Sequence, residues 1–351
     1  MYVYLSNILL MFIWGFLLLL VKPNDKKKHA YCLIVCLQWT LISGLRHISV
    51  GDDTMGYGVA FERVKNMSWS EVFNRIWIYI FGADIKDPGY TLLQKIFQIF
   101  SKDYQIFLLF IAFFFTFAMA IWIYNNSDMP CLSFVIYSTM FFSFFAVTGH
   151  RQTIATAIVV FIGYKFIKER KPIPFFLLCF LAFFIHKSIA VYAPFYFIAN
   201  KKITPKYIGV VSLVCAVFLL GGRRTYNFFV QLLAYDDYDV LVRTPLGYVL
   251  FISIVSVVAF IMYPKIKKNR LEDYEILYNA LILTLLFTLL TIREQTFMRI
   301  QQYYALYLMI IVPEIMKFFD KKTRVLVYAL TSAVLILRMI SSHAVYKFFW
   351  M

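Results

Sequence analysis

The sequence predicts an all-α fold: a polytopic membrane helical bundle of about twelve transmembrane segments, two of them forming a short broken-helix hairpin, with amphipathic helices outside. Three observations predict it. Hydrophobic residues make up 62% of the 351 and charged residues only 15%, whereas soluble domains are nearer half apolar and a quarter charged. Apolar runs of about 18 residues or more recur along the chain. Lysines crowd "KPNDKKKH", "KERK", "NKKITPK", "PKIKKNR" and "KFFDKKTR", the short gaps between those runs. That is the charge pattern of cytoplasmic loops. The net charge of +16 therefore reports topology, and no basic stretch interleaved with stacking aromatics points to nucleic acid.

The elements follow in order from this pattern. Residues 2–21 run inward; they lack a basic start and a small-residue cleavage site, so they read as a first membrane helix rather than a signal peptide. Residues 30–45 run back out, and 46–103 form the longest polar stretch, an outer loop within a single transmembrane domain covering 1–351. In that loop "SWSE" has capping-box spacing before "VFNRIWIYIF", and "DPGYTLLQKIFQIF" offers Asp87 as N-cap and Pro88 at the first helical position. Two amphipathic helices bracketing a mouth are expected there. Residues 104–124 go in, 130–148 out and 151–167 in to "KERK".

The next run, from about Pro172 to Ala199, is interrupted by His186, Lys187 and Ser188. "KERK" and "NKKITPK" flank it and belong on the same side, so the chain must go out and return. Two short helices of roughly 20 Å each can do this at 1.5 Å per residue. The break at "HKS" then lies near the outer face, and Lys187 escapes a cost of about 2.5–3.5 kcal/mol at the bilayer centre. Further helices are expected near 207–221, 247–263, 275–292, 300–317 and 324–341, with kinks at Pro194 and Pro313. Cys32, Cys36, Cys131, Cys179 and Cys215 lie in apolar runs without C-x-x-C spacing and read as small buried hydrophobes.

This topology sets Arg46, Arg151, Lys187, Arg223, Arg224, Arg243, Arg293 and Arg299 at outer helix ends or in outer loops, where the positive-inside rule disfavours cations. The planar fork of arginine suits phosphate, so the cluster points to an anionic lipid headgroup such as a diphosphate. Snorkelling side chains are the plainer alternative, the stronger one for Arg223, Arg224 and Arg243. "VGDDTMGYGVAF" places Asp52 and Asp53 at an outer helix end, with Gly51, Gly56 and Gly58 giving a bendable loop. A carboxylate there can act as general base toward a hydroxyl, although the local sequence alone reads first as a solvated turn. Two adjacent aspartates lack further patterned ligands, so neither a metal nor another cofactor is expected. Asp87 reads first as a helix cap, and His186 either as a neutral polar residue at a break or as a base. No G-x-S-x-G, H-E-x-x-H or P-loop is present, which leaves chemistry on a preactivated lipid-linked donor.

From about residue 40 to 320 the chain resembles the EpsG family, Wzy-like membrane proteins of bacterial exopolysaccharide and O-antigen synthesis. The resemblance is carried by Arg46 and by Gly51, Asp53, Tyr57 and Phe61 in a G-x-D-x-x-x-Y-x-x-x-F pattern. It continues through "DPGYTLLQKI", the R-Q-x-x-A of "HRQTIATAI", the H-K-S-x-x-x-x-x-P of "FIHKSIAVYAPFYF" and "RIQQYYALYLMIIVP". Glutamate is more usual in the family at the Asp87 position, and His150 replaces a more usual small or apolar residue. The resemblance implies a glycosyltransferase of the bacterial cytoplasmic (inner) membrane with its active site on the outer face. It would polymerise undecaprenyl-diphosphate-linked oligosaccharide repeat units of an O-antigen, exopolysaccharide or capsule. Partners would be that substrate, the bilayer and a chain-length regulator protein. Arg151, Arg299 and Lys187 are then candidates for the diphosphate, and Asp53 and His186 compete as base, Asp53 being preferred. Arg46 and Asp52 join the binding set; Asp87, a helix cap on its own sequence, is counted there too. Tyr57, Tyr90, Gln152 and Tyr303 are candidates for sugar contacts. A flippase of lipid-linked oligosaccharide and a membrane acyltransferase are the alternatives.

Overall fold

Helices run through most of the described residues because the long apolar runs can satisfy their backbone groups only within themselves once water is excluded. A computed structural model of the chain describes residues 1–351 except 83–84, 215, 218–219, 222–245, 269–273 and 294–296, with main chain alone at 292–293. Helix α1 spans Tyr2–Leu20 and α2 Asp25–Gly44. Three helices occupy the polar stretch: α3 (Thr54–Lys65), α4 (Trp69–Ile80) and α5 (Pro88–Phe97). Helix α6 is Tyr104–Asn126. Helix α7 (Pro130–Phe141) continues through a π-helical turn at Ser143–Thr148. Helix α8 (His150–Thr156) passes through a further π-helical stretch at Ala157–Ile162 to a last turn at Tyr164–Lys168.

Helices α9 (Pro172–Ile185) and α10 (Phe195–Ala199) flank a 3₁₀ turn at Lys187–Val191. The described remainder comprises α11 (Pro205–Val214), α12 (Leu246–Lys268), α13 (Tyr274–Arg293), α14 (Phe297–Ala305), α15 (Leu308–Met316) and α16 (Lys321–Ser341). Among the described residues the sole β pairing is an isolated bridge between Arg46 and Phe348.

Five of these helices are long and apolar enough to cross a membrane: Tyr2–Leu20, Tyr104–Asn126, Leu246–Lys268, Tyr274–Thr291 and Lys321–Ser341. Pro130–Phe141, Pro172–Ile185 and Pro205–Val214 are shorter apolar helices. The chain is thus a multi-pass membrane protein, and the expected count of about twelve crossings leans on its shorter segments. Three π-helical stretches, Tyr137–Phe141, Ser143–Thr148 and Ala157–Ile162, fall in the expected 130–148 and 151–167 runs, which is why each run divides into shorter regular pieces. The expected helix 207–221 is described as Pro205–Val214, and Cys215 lies outside the described residues. The other four cysteines are free and buried.

The polar 46–103 stretch differs from expectation in one element. Asp52, Asp53 and three glycines suggest a bendable loop, but Gly56 and Gly58 lie inside α3. Only Gly51 needs a positive φ, +96°, and a Cβ there would collide with the Val147 carbonyl oxygen at 2.5 Å. The helix wins because Thr54 anchors its first turn, donating to the carbonyls of Val50 (2.8 Å) and Val147 (3.1 Å). Phe61 then buries its ring against Phe107 of α6 at 5.0 Å. Burying a ring of this size contributes about 1.5–3 kcal/mol.

Lys95 and Gln98 close the other end of α3. Lys95 Nζ donates to the carbonyls of Val64 and Lys65, and Gln98 Nε2 donates to that of Phe61 at 2.8 Å. A cation at the carbonyl end of a helix also opposes its dipole favourably. Phe61, Tyr90, Phe107, Ile111 and Ile154 form a small second core that joins α3 and α5 to α6 and α8. The capping box at α4 forms as expected: the Glu71 N–H donates to Ser68 Oγ and the Ser68 N–H to the Glu71 carboxylate.

Candidate active site

Helix α9 is apolar along its whole length, and its end positions the first group of site residues. At His186 the backbone becomes extended (φ −155°, ψ 109°) and the 3₁₀ turn follows. The chain then folds back along itself. The rings of Phe175 and Phe176, near the start of α9, lie 5.2 Å from Tyr196 and 5.5 Å from Phe197 respectively. Asn200 donates to the Ile167 carbonyl at 3.0 Å, beside "KERK". Both ends of the hairpin therefore meet on one side, with His186-Lys187-Ser188 at the opposite tip. The hydroxyls of Ser188 and the fully buried Tyr303 are 2.7 Å apart and pin that tip to α14.

Asp87 comes to the tip from α5. It occupies the position before Pro88, but its side chain makes no cap hydrogen bond. Its backbone is left-handed (φ +47°), a conformation aspartate tolerates better than most residues. From there the carboxylate takes an ion pair with Arg151 (2.6 Å) and the main-chain N–H of Lys187 (3.2 Å), and lies 3.5 Å from His186 Nδ1. The expectation of a helix cap is corrected here. A buried guanidinium left without a counter-ion costs about 3–5 kcal/mol, more than the roughly 1 kcal/mol of a missing side-chain cap. Gly89 permits the approach: a Cβ there would lie 2.7 Å from the Phe184 main chain of α9. Burial opposes ionisation of Asp87, but the hydrogen bond and charge of His186, the Arg151 cation and the Lys187 N–H outweigh it. The carboxyl is held below its ordinary range.

Arg151 continues the network from the start of α8. Its Nε donates to the Tyr57 hydroxyl at 3.3 Å, and its guanidinium lies 5.4 Å from the Tyr57 ring centroid. The Tyr57 ring also stacks on His150 at 4.4 Å. His150 Nε2 is 2.6 Å from an Arg46 nitrogen, and Arg46 also donates to the Ser43 carbonyl. Guanidinium can only donate, so His150 Nε2 accepts and the imidazole there is neutral. His150, a departure from the family pattern, thus links two arginines through one tyrosine ring. Sequence reasoning assigned it no role, because a histidine beside R-Q carries no spacing signal of its own.

Above this junction lies a cavity of about 550 Å³ between α3, α4 and α5. Its lining includes Asp52, Asp53, Tyr57, Asp87, Tyr90 and Arg151. Asp52 is exposed and Asp53 half-buried, and neither carboxylate has a hydrogen-bond or ion-pair partner among the described residues. Asp53 stands at the start of α3 rather than on a glycine hinge, so its placement is rigid. Tyr90 is buried at the cavity edge, its ring 5.6 Å from that of Tyr57.

The remaining expected residues lie behind the cavity. Gln152 is buried and donates to the Arg299 carbonyl at 2.6 Å; the Arg299 guanidinium sits 5.9 Å from the Phe144 centroid. Its charge acts on both Tyr57 and His186. Arg46, His186 and Tyr303 are buried and stay off the cavity surface, while the partly exposed Lys187 keeps its ammonium unpaired among the described residues. Arg223, Arg224, Arg243 and the Arg293 side chain lie outside the described residues. Among the described residues no three His, Cys, Asp or Glu side chains group as metal ligands.

Fold and site together define a multi-pass membrane protein with a charged cavity under a cap of three short helices. Its buried floor carries the Arg151–Asp87 ion pair, and its open wall carries unpaired acids. The chain belongs to the EpsG family, whose family model matches residues 29–351, nearly the whole chain. No curated protein and no solved structure gives a significant match.

Proposed function

We propose that the chain is a polysaccharide polymerase of the bacterial cytoplasmic membrane, as membership of its family suggests. It moves a growing glycan from undecaprenyl diphosphate to the terminal sugar of the next lipid-linked repeat unit, on the outer face, within a topology of about twelve crossings. A chain-length regulator is a fitting partner. The observation that carries the reading is the unpaired Asp53 carboxylate on the same wall as Tyr57, whose hydroxyl receives a bond from Arg151.

The reaction needs a base at one point and cations at another. Asp53 takes the proton of the acceptor hydroxyl as that oxygen attacks the anomeric carbon of the donor. The bond from that carbon to the diphosphate breaks, and the diphosphate leaves with the electron pair. Arg151, with Lys187 and Arg299 behind it, offsets the charge that develops there. Asp87 and His186 hold Arg151 in place, and the burial of His186 favours Asp53 as the base.

Purified protein reacted with defined undecaprenyl-diphosphate-linked repeat units tests this. A ladder of polymer on the lipid carrier is the expected product. Unchanged single units with wild-type protein, or loss of outer-face repeat units in a deletion strain, would overturn it in favour of a flippase.

A further inference from the structure

Two arginines on the cavity wall are absent from the mechanism above. Arg63 lies near the end of α3 and Arg75 in the middle of α4, and both line the cavity. Neither has a carboxylate partner among the described residues, and Arg75 Nε is buried without a hydrogen bond. Arg151, by contrast, is already neutralised by Asp87 at 2.6 Å. An anion entering the cavity therefore meets its least compensated charge at Arg63 and Arg75.

Their position adds a length. Asp53, Tyr57, Ala60 and Arg63 recur at helical spacing and all line the cavity, so they share one face of α3. Ten residues at 1.5 Å each separate Asp53 from Arg63 by about 15 Å. The cavity thus has an acidic end, where Tyr57 and Arg151 also lie, and a basic end about the reach of a short oligosaccharide away.

Helix α4 sets the depth. Trp69, Phe73 and Trp77 are exposed at i, i+4 and i+8, an apolar stripe that suits a helix lying in the membrane interface. Val72, Arg75 and Tyr79 take the opposite face: Val72 is buried and Tyr79 packs on Phe184 at 5.9 Å. Arg75 is therefore carried at headgroup depth and turned into the cavity.

We propose that Arg63 and Arg75 form a second anion site that takes the diphosphate headgroup of the acceptor lipid, at the opposite end of the cavity from Asp53. The assignment rests on the polymerase reading. Both substrates of that reaction carry a lipid diphosphate, and the acceptor must keep its own while its terminal sugar reaches the base. The site holds the acceptor by its lipid end, and the spacing to Asp53 selects the repeat-unit length that reacts.

The test is binding, which needs no turnover. A short isoprenyl diphosphate is titrated onto the protein in phosphatidylcholine nanodiscs, for wild type, Arg63→Gln/Arg75→Gln, Arg63→Lys/Arg75→Lys and the outer-surface control Lys102→Gln. The glutamine pair should lose one bound probe per chain and the lysine pair should keep it with weaker affinity. Lys102→Gln should match wild type, and all four should share one melting temperature. Inorganic pyrophosphate should compete for that site, and phosphatidylglycerol at the same concentration should not. Unchanged stoichiometry in the glutamine pair overturns the site, and equal displacement by phosphatidylglycerol overturns its assignment to a diphosphate. If wild type binds as expected yet makes no polymer, the polymerase reading fails and the anion site stands.

Discussion

Two carboxylates of the 46–103 stretch, Asp87 and Asp53, are placed in opposite ways. Asp87 is 7% exposed, ion-paired to Arg151, near His186 and bonded to a main-chain N–H. Asp53 is half-buried on a cavity wall with no partner among the described residues. A base must offer a lone pair to an incoming proton, and those of Asp87 are already committed. Pairing therefore separates the acid that holds the site from the acid free to react. The same contrast runs through the cations, where Arg151 is neutralised and Arg63 and Arg75 are not.

The comparison breaks most visibly if Asp87 is dispensable. Asp87→Asn leaves the Arg151 charge buried without its counter-ion, which costs about 3–5 kcal/mol where such pairs are broken. A clearly lowered melting temperature in detergent is expected, with activity lost alongside. The effect should depend on pH. The folded-state pKa of Asp87 is depressed, so its contribution is complete above the ordinary carboxylate value of about 3.9 and disappears as pH falls through the lower folded value. The gap in melting temperature between wild type and Asp87→Asn should thus be full at pH 7 and shrink below about pH 4. A gap that persists in acid would mean that the carboxylate is not what Arg151 needs.

Arg151→Lys sharpens the contrast with a smaller effect. Lysine keeps a point charge for Asp87 but loses the planar fork that also reaches Tyr57. Polymer formation should fall by at least ~10-fold, about 1.4 kcal/mol, while membrane insertion stays normal. Wild-type rates in this variant would remove Arg151 from the leaving-group site. Smaller still is Tyr303→Phe, which takes the hydroxyl partner from Ser188 at the hairpin tip. A loss of about 1 kcal/mol in stability is expected, with substrate binding unchanged, because Tyr303 is buried behind the site. A large rise in KM alone would instead return Tyr303 to the sugar contacts.

Much of this was legible in the sequence where one physical cost dominates. A lysine and a histidine inside an apolar run must be accommodated, so the break at His186 and the return of the chain to the "KERK" side could be read directly. The capping box at Ser68 is a local device and appeared where its spacing placed it. The role of Asp87 was hidden because "DPG" carries a strong helix-start signal, while the competing demand comes from Arg151, sixty-four positions away. Helix α3 was hidden because its glycines read as a hinge, and Gly58 is in fact the small residue that admits the Tyr104 ring, which a Cβ would meet at 3.1 Å. Arg63 and Arg75 belong to no motif and carry no spacing signal of their own in the sequence. Only the packing of α3 and α4 around one space turns them toward each other.

The central claim is that the unpaired acid on the wall, and not the buried histidine beneath it, removes the acceptor proton. Asp53→Asn keeps the shape and loses the basicity, and His186→Gln keeps a polar group beside Asp87. Polymer formation and lipid-linked substrate binding are to be followed separately for both purified variants. Asp53→Asn should bind substrate like wild type and make no polymer, while His186→Gln should bind donor more weakly and retain measurable turnover. An active Asp53→Asn beside a substrate-binding but inactive His186→Gln would contradict the account and move the base to His186.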